Sequence, residues 1–176
     1  ITGGSGFIGS NIVEYLLVHG AGKVRVLDNL ANGYKKNIEP FLKHPSFEFI
    51  EGDITNADTC LKAMKGIQYV SHQAALGSVP RSLANPLATH HANATGFLNM
   101  LWAAKESGIE RIVYASSSSV YGDSPELPKR EHITGNPLSP YAVSKMSNEL
   151  YAYTSCMHYD MKIIGPRYFS LFGPHQ

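Results

Sequence analysis

The sequence predicts a doubly wound α/β fold, a parallel sheet with helices on both faces. Three observations carry this. Short apolar, β-branched runs recur at residues 23–28, 47–50, 67–72, 111–115 and 162–164, each about the length of a strand. The segments between them are long enough for crossover helices. Run cores such as Val24, Val26 and Leu27 suit strands buried on both faces, and right-handed crossovers then impose parallel pairing.

The elements follow in order. A helix is expected over residues 11–19, where Ile12, Val13, Leu16 and Leu17 fall at helical spacing. Another is expected over 94–105, with Phe97, Leu98, Leu101 and Trp102 packing on the sheet as core. A loop rich in proline, glycine and polar residues covers 122–140, and Pro140 opens a further helix through about residue 158.

Composition narrows the class. The chain has 176 residues, 43% hydrophobic and 16% charged, and Lys+Arg 15 against Asp+Glu 14 leaves a net charge of +1. A single domain of this size buries roughly 70% of its unfolded surface and needs no disulfide or metal. No run approaches the ~20 apolar residues of a membrane span, and no charged-then-apolar leader opens the chain, so a cytoplasmic protein is expected. The balanced charge argues against nucleic-acid and membrane-surface partners. Cys60 and Cys156 lack metal-type spacing and are expected as reduced, buried thiols, with no metal site.

The chain opens Ile1-Thr2-Gly3-Gly4-Ser5-Gly6-Phe7-Ile8-Gly9 at a strand-to-helix junction. Gly3 permits a tight turn, Gly6 lets the backbone approach a pyrophosphate, and Gly9 lets the helix pack closely on its strand. The helix N-terminus then presents free amides to an anion. Asp28 ends the next apolar strand, where a carboxylate can accept both hydroxyls of an adenosine ribose and favours NAD over NADP. Asp53, in Glu51-Gly52-Asp53-Ile54, reads equally well as a ligand contact or a solvated loop carboxylate.

Tyr141 and Lys145 stand four apart at the start of the helix after Pro140, on one face. Chance alone would supply about 0.6 such pairs in this composition. The run Ser116-Ser117-Ser118-Ser119 gives the pair weight, because it sets hydroxyls at the carboxyl end of a parallel strand, where open α/β sheets bind ligands. A tyrosine phenol acting as a base near pH 7 needs its pKa of about 10 lowered by about 3 units, roughly 4 kcal/mol, which a lysine cation and an oxidised nicotinamide would supply.

With these motifs in this order, the sequence resembles the extended short-chain dehydrogenase/reductase superfamily over its whole length. The likeness is to its NAD-dependent nucleotide-sugar epimerases and dehydratases, and most of all to the UDP-N-acetylglucosamine 4-epimerases, with their uronic-acid relatives, of bacterial surface-polysaccharide pathways. The segments from His72 to Ser82, Gly96 to Leu101 and Leu138 to Lys145 carry that finer likeness. It implies a Rossmann-type domain over 1–176, truncated at both ends, with the first strand reduced to Ile1-Thr2 and the C-terminal substrate domain largely absent. Such a piece would turn over poorly alone.

The resemblance also implies roles. Gly3, Gly6, Phe7, Ile8 and Gly9 would hold the NAD pyrophosphate, Asp28 and Asn29 the ribose, Asn32 and Gly33 the adjoining phosphate or ribose, and Asp53 and Ile54 the adenine. Gln73, Ala74 and Ala75 would line the cofactor, and Asn93 would stabilise the central active-site helix. Tyr141 would be the catalytic base, Lys145 would bind the nicotinamide ribose and lower the tyrosine pKa, and Ser117 would hydrogen-bond the reacting sugar hydroxyl. Ser116 and Ser118 would be auxiliary contacts, and Gly77, Ser78, Ser170 and Gln176 would touch the UDP-sugar. The implied reaction is transient oxidation at sugar carbon 4 with NAD regenerated each cycle, in a homodimer built from the helix after Asn93 and the Tyr141 helix. A dehydratase or reductase of the same superfamily, or a non-catalytic dinucleotide-binding module, is the alternative. Ser118 and Ser119 occupy the place where dehydratases carry an Asp-Glu pair, which favours epimerisation. Pro166 and Ser170 depart from the family pattern, Pro166 by removing a ladder N–H from a strand expected to be internal.

Overall fold

The computed structural model describes residues 1–176. Every strand pairing in it is parallel. Strand β1 (Val24–Asp28) pairs with β2 (Phe47–Glu51), and β3 (Tyr69–His72) pairs with β4 (Arg111–Tyr114), which pairs with β6 (Ile163–Ile164). Thr2 bridges Leu27 on one side and His72 on the other, so the start of the chain stands mid-sheet between β1 and β3. The order reverses there, which makes that junction the expected ligand crevice of a doubly wound sheet.

Two apolar layers cover the sheet. Val13 and Leu17 of α1 (Phe7–Val18) pack on Val24 and Val26. The larger layer gathers Leu27, Cys60 and Met64 of α2 (Ala57–Met64), Phe97, Met100 and Leu101 of α5 (Gly96–Glu106), and Ala152 of α6 (Pro140–Tyr159). Adjacent Val26 and Leu27 thus serve opposite faces, as strand alternation dictates.

Several expectations need correction. Helix α1 begins at Phe7 rather than residue 11, immediately after Gly6, because the glycine turn itself delivers the chain into helical geometry. Trp102 is 48% exposed and Leu98 41%, whereas Phe97 and Leu101 are buried. The face of α5 that meets the sheet runs through Phe97, Met100, Leu101 and Ala104, and the (i, i+4) pair Leu98 and Trp102 lies off it. Cys60 is buried, but Cys156 is only half-buried; both are free. The run 111–115 breaks at Ala115, after which β5 (Ser116–Ser117) pairs with β7 (Arg167–Tyr168). Pro166 sits in the matching break between β6 and β7, where no ladder N–H is required of it, and its carbonyl still accepts from Ser116 N at 3.0 Å.

Between β3 and α5 run two short helices, α3 (Val79–Ala84) and α4 (Pro86–His90), and a π-helical turn (His91–Thr95). No helix is long and apolar enough to cross a membrane.

Candidate active site

Two adjoining clefts open at the carboxyl end of the sheet. The first, of about 240 Å³, is walled by Gly3, Gly6 and Phe7, by Asp28, Asn29, Asn32 and Gly33, by Asp53 and Ile54, and by Gln73, Ala74 and Ala75. Gly3 has φ +68°, the left-handed region, and a Cβ there would stand 2.6 Å from Ala74 N. A Cβ on Gly9 would overlap the Gly3 carbonyl. Gly6 differs, since its Cβ would come no nearer than 3.4 Å to that carbonyl. Gly6 is also the N-cap of α1, with no side chain capping the first turn, so the amides that follow remain available to an anion.

Backbone amides fix the carboxylates of this cleft. Asp28 accepts from Ser5 N at 2.9 Å and from Leu30 N at 2.8 Å, one on each oxygen. Each oxygen keeps a lone pair for a further donor. Asn29 Nδ2 donates to Asp53 at 2.7 Å, and Thr55 N donates to its other oxygen at 2.8 Å. Burial alone would raise the Asp53 carboxyl, but these donors prevail and hold it below its ordinary range. The Asn32 side-chain oxygen accepts from Arg81 Nη1 at 3.0 Å.

The second cleft, of about 400 Å³, shares Phe7, Gln73 and Ala75 with the first. Its remaining wall includes Ile8, Gly77, residues 115–118, Tyr141, Lys145 and residues 168–171. Ser139 caps α6 by accepting from Ala142 N at 3.1 Å, and Pro140 takes the first helical position, so Tyr141 enters on the first turn. Lys145, one turn later and 3% exposed, donates to the Ala115 carbonyl at 2.8 Å, with its Nζ 6.0 Å from the Tyr141 ring centroid. Burial pushes its ammonium down to about 8. The Ser117 hydroxyl oxygen accepts from Ser119 N at 3.1 Å and lies 2.9 Å from the Ser119 hydroxyl.

Asn93 closes the arrangement. On the π-helical turn, its Nδ2 donates to the Leu76 carbonyl and to the Ser144 hydroxyl, both at 3.1 Å, and its Oδ1 accepts from Leu76 N at 2.7 Å. Ser144 in turn donates to the Tyr141 carbonyl at 2.7 Å. The segment after β3 is thereby tied to the first turn of α6.

Not every expected residue faces a cleft. The buried Ser116 hydroxyl is turned to Glu149 Oε1 at 2.5 Å, although the residue borders the second cleft. Ser78 lies outside both walls because its hydroxyl caps α3, accepting from Arg81 N at 3.3 Å. Gln176, the last residue, is exposed and also outside both. Ser118 and Ser170 do line the second cleft. Sequence reasoning missed Leu27, Ala31, Gly52, Leu76 and Ala92 in the first wall. It also missed Glu149, although a carboxylate four residues beyond Lys145 on a helix is a visible signal.

A crevice at the switch point, floored by a glycine turn and a helix N-terminus, marks a dinucleotide-binding protein. Within that class the chain belongs to the NAD dependent epimerase/dehydratase family, whose model matches residues 1–176. It is 37% identical to a UDP-glucose 4-epimerase of Mycolicibacterium smegmatis, covering 100% of this chain and 56% of that protein. A UDP-N-acetylglucosamine 4-epimerase structure from Methanobrevibacter ruminantium superposes with TM-score 0.93 at 40% identity, over 99% of this chain and 55% of that one. A dTDP-glucose 4,6-dehydratase of Streptomyces venezuelae, solved with NAD bound, superposes with TM-score 0.95 at 33% identity, over 99% and 56%. The chain therefore spans about half the length of the relatives it matches. The family's NAD fits the first cleft: the α1 amides lack a side-chain cap, Gly6 leaves room for a pyrophosphate, and Gln73 Oε1 is buried without a partner.

Proposed function

We propose that the protein is a UDP-sugar 4-epimerase, acting on UDP-N-acetylglucosamine or its uronic acid, with Tyr141 as the base. The observation that carries this reading is the shared wall of Phe7, Gln73 and Ala75, which puts the cleft of Ser117, Tyr141 and Lys145 directly against the cofactor cleft. NAD bound there supplies the hydride acceptor and donor. Tyr141 takes the proton of the sugar carbon-4 hydroxyl and returns it after the sugar has turned over. Ser117 hydrogen-bonds that hydroxyl, its own proton being free once it accepts from Ser119 N. Lys145 holds a cation one helical turn from the phenol, and its burial concentrates that charge on its neighbours. Ser170 and Gly77 line the sugar side.

The likeness to a UDP-N-acetylglucosamine 4-epimerase supports the substrate, and Ser118 and Ser119 in place of an acidic pair weigh against dehydration. The closeness of the superposition on a dehydratase keeps 4,6-dehydration as the second reading. The relatives' remaining length is read as the domain that completes the sugar pocket. Exposed Leu98 and Trp102 on α5 and Val143 and Leu150 on α6 are read as the dimer surface.

The test is incubation of the full-length protein with UDP-N-acetylglucosamine and its uronic acid, the products resolved by NMR. Inversion at carbon 4 without net NADH consumption is expected. A 4,6-dehydrated keto sugar would install the second reading, and steady NADH consumption would make the protein a reductase. Tyr141→Phe in the same assay should lower turnover by about 10²–10⁴-fold while NAD remains bound.

A further inference from the structure

Glu149, Arg167 and Tyr121 form a cluster that the steps above do not use. Glu149 lies on α6 one turn beyond Lys145 and two beyond Tyr141, on a common stripe of the helix. Both of its oxygens are engaged. Oε1 accepts from the Ser116 hydroxyl and from Arg167 Nε at 2.9 Å, and Oε2 accepts from Arg167 Nη2 at 2.7 Å. This two-point guanidinium–carboxylate pair fixes direction as well as distance.

Arg167 reaches further. Its Nη1 donates to the Glu131 carbonyl at 2.9 Å, which anchors the loop between β5 and α6. Its guanidinium carbon lies 4.7 Å from the centroid of the buried Tyr121 ring, and that ring stacks at 6.0 Å on Phe169, a wall of the second cleft. In the backbone, Ser116 pairs with Arg167 and Ser117 with Tyr168.

An ion pair in a partly buried place can be mere packing, neutral or even costly to stability. Its location argues for more. Strands β5 and β7 have two residues each and follow the breaks at Ala115 and Pro166, too short to hold register by their ladder alone. The side chains of Glu149 and Arg167 therefore join what the backbone joins weakly: the strand of Ser117, the helix of Tyr141 and Lys145, and the wall of Phe169.

We propose that Glu149 and Arg167 are positioning residues that set Ser117 and the Phe169 wall against Tyr141. The kinetic part of this rests on the epimerase reading; the positional part does not. Glu149→Gln keeps the shape and one acceptor but loses the charge, and Arg167→Lys keeps the charge but loses the two-point contact. In the full-length protein with NAD bound, each is expected to lower kcat about a hundredfold with KM changed less than about threefold, as loss of alignment does. The double variant should fall no further than the worse single. Amide hydrogen exchange in residues 116–121 should rise about tenfold or more, with that of α1 unchanged and NAD retained. Unchanged exchange in 116–121 overturns the proposal. So does wild-type kcat per folded molecule with only a lowered Tm, which would make the pair a stabilising contact. If wild-type protein converts no UDP-sugar, the epimerase reading fails, and the exchange measurement alone decides the positional claim.

Discussion

At the scale of single residues, the buried Lys145 carries the clearest conflict between stability and chemistry. Its ammonium titrates near 8 in the fold against 10.5 in an unfolded chain, so the unfolded chain binds more protons between those values. Stability must then rise with pH across that window, and the cost of the buried charge is full below pH 8. The difference, about 2.5 pKa units, is worth about 3 kcal/mol. Urea titrations at pH 7.5, 9 and 10 are expected to show this rise, and Lys145→Met should flatten it while abolishing turnover. An equal pH slope in both proteins would refute the assignment. His72 acts in the same direction at the acid end. Buried beside Thr2 and edge-on to Phe97, it is held down to about 3 by burial and then by the Lys145 charge, so its contribution is present above about 6.5 and fades as pH falls toward 3.

At the scale of elements, the turn into α1 separates two duties among glycines that look alike in sequence. Gly9 serves the fold, because any Cβ collides with the backbone of Gly3 and Gly4. Gly6 has no such duty, because its Cβ has ordinary room within the protein and φ is −82°; on the reading proposed above, what needs it is the ligand. Gly9→Ala is expected to cost about 1–3 kcal/mol by urea denaturation. Gly6→Ala should leave stability within about 1 kcal/mol yet weaken NAD binding at least about tenfold in equilibrium dialysis, about 1.4 kcal/mol. Equal effects of the two substitutions on both measurements would remove the distinction. Strand positions and the parallel class were legible because apolar runs repeat with helical segments between them. The start of α1, the outward turn of Trp102 and the breaks at Ala115 and Pro166 were not, since each depends on what the neighbouring element presents. The wall of the first cleft was legible where backbone or chemistry demands one residue type, as the left-handed φ does at Gly3 and the need for a carboxylate acceptor at a strand end does at Asp28. Leu76 and Ala92 escaped notice because neither residue type signals a ligand, and the turn of the Ser116 hydroxyl away from the cleft was not legible because its partner, Glu149, lies 33 residues away.

At the scale of the whole molecule, one face of α5 and α6 is apolar without being covered. Trp102 is 48% exposed beneath the Lys105 ammonium, 4.4 Å from its ring, and Leu150 is 63% exposed. Patches of this kind mark association surfaces. Light scattering of the full-length protein is expected to give twice the chain mass, and Trp102→Glu with Leu150→Glu should return the monomer. A wild-type monomer would sink the dimer.

The π-helical turn at His91–Thr95 has a consequence of a different kind. A wide turn holds one residue more than an α-helix would need over the same span. Asn93 reaches Leu76 and Ser144 from within that turn. Deleting one residue of the turn would restore ordinary winding with the helices on either side still in phase, so α5 would keep its sheet-facing stripe while the turn lost the geometry from which Asn93 makes its contacts. The surplus residue therefore lets a tie between residue 76 and α6 be added to a helix without disturbing its packing: a single-residue deletion in the turn is expected to undo the tie and leave the packing, the reverse of what a deletion in an unbroken helix does.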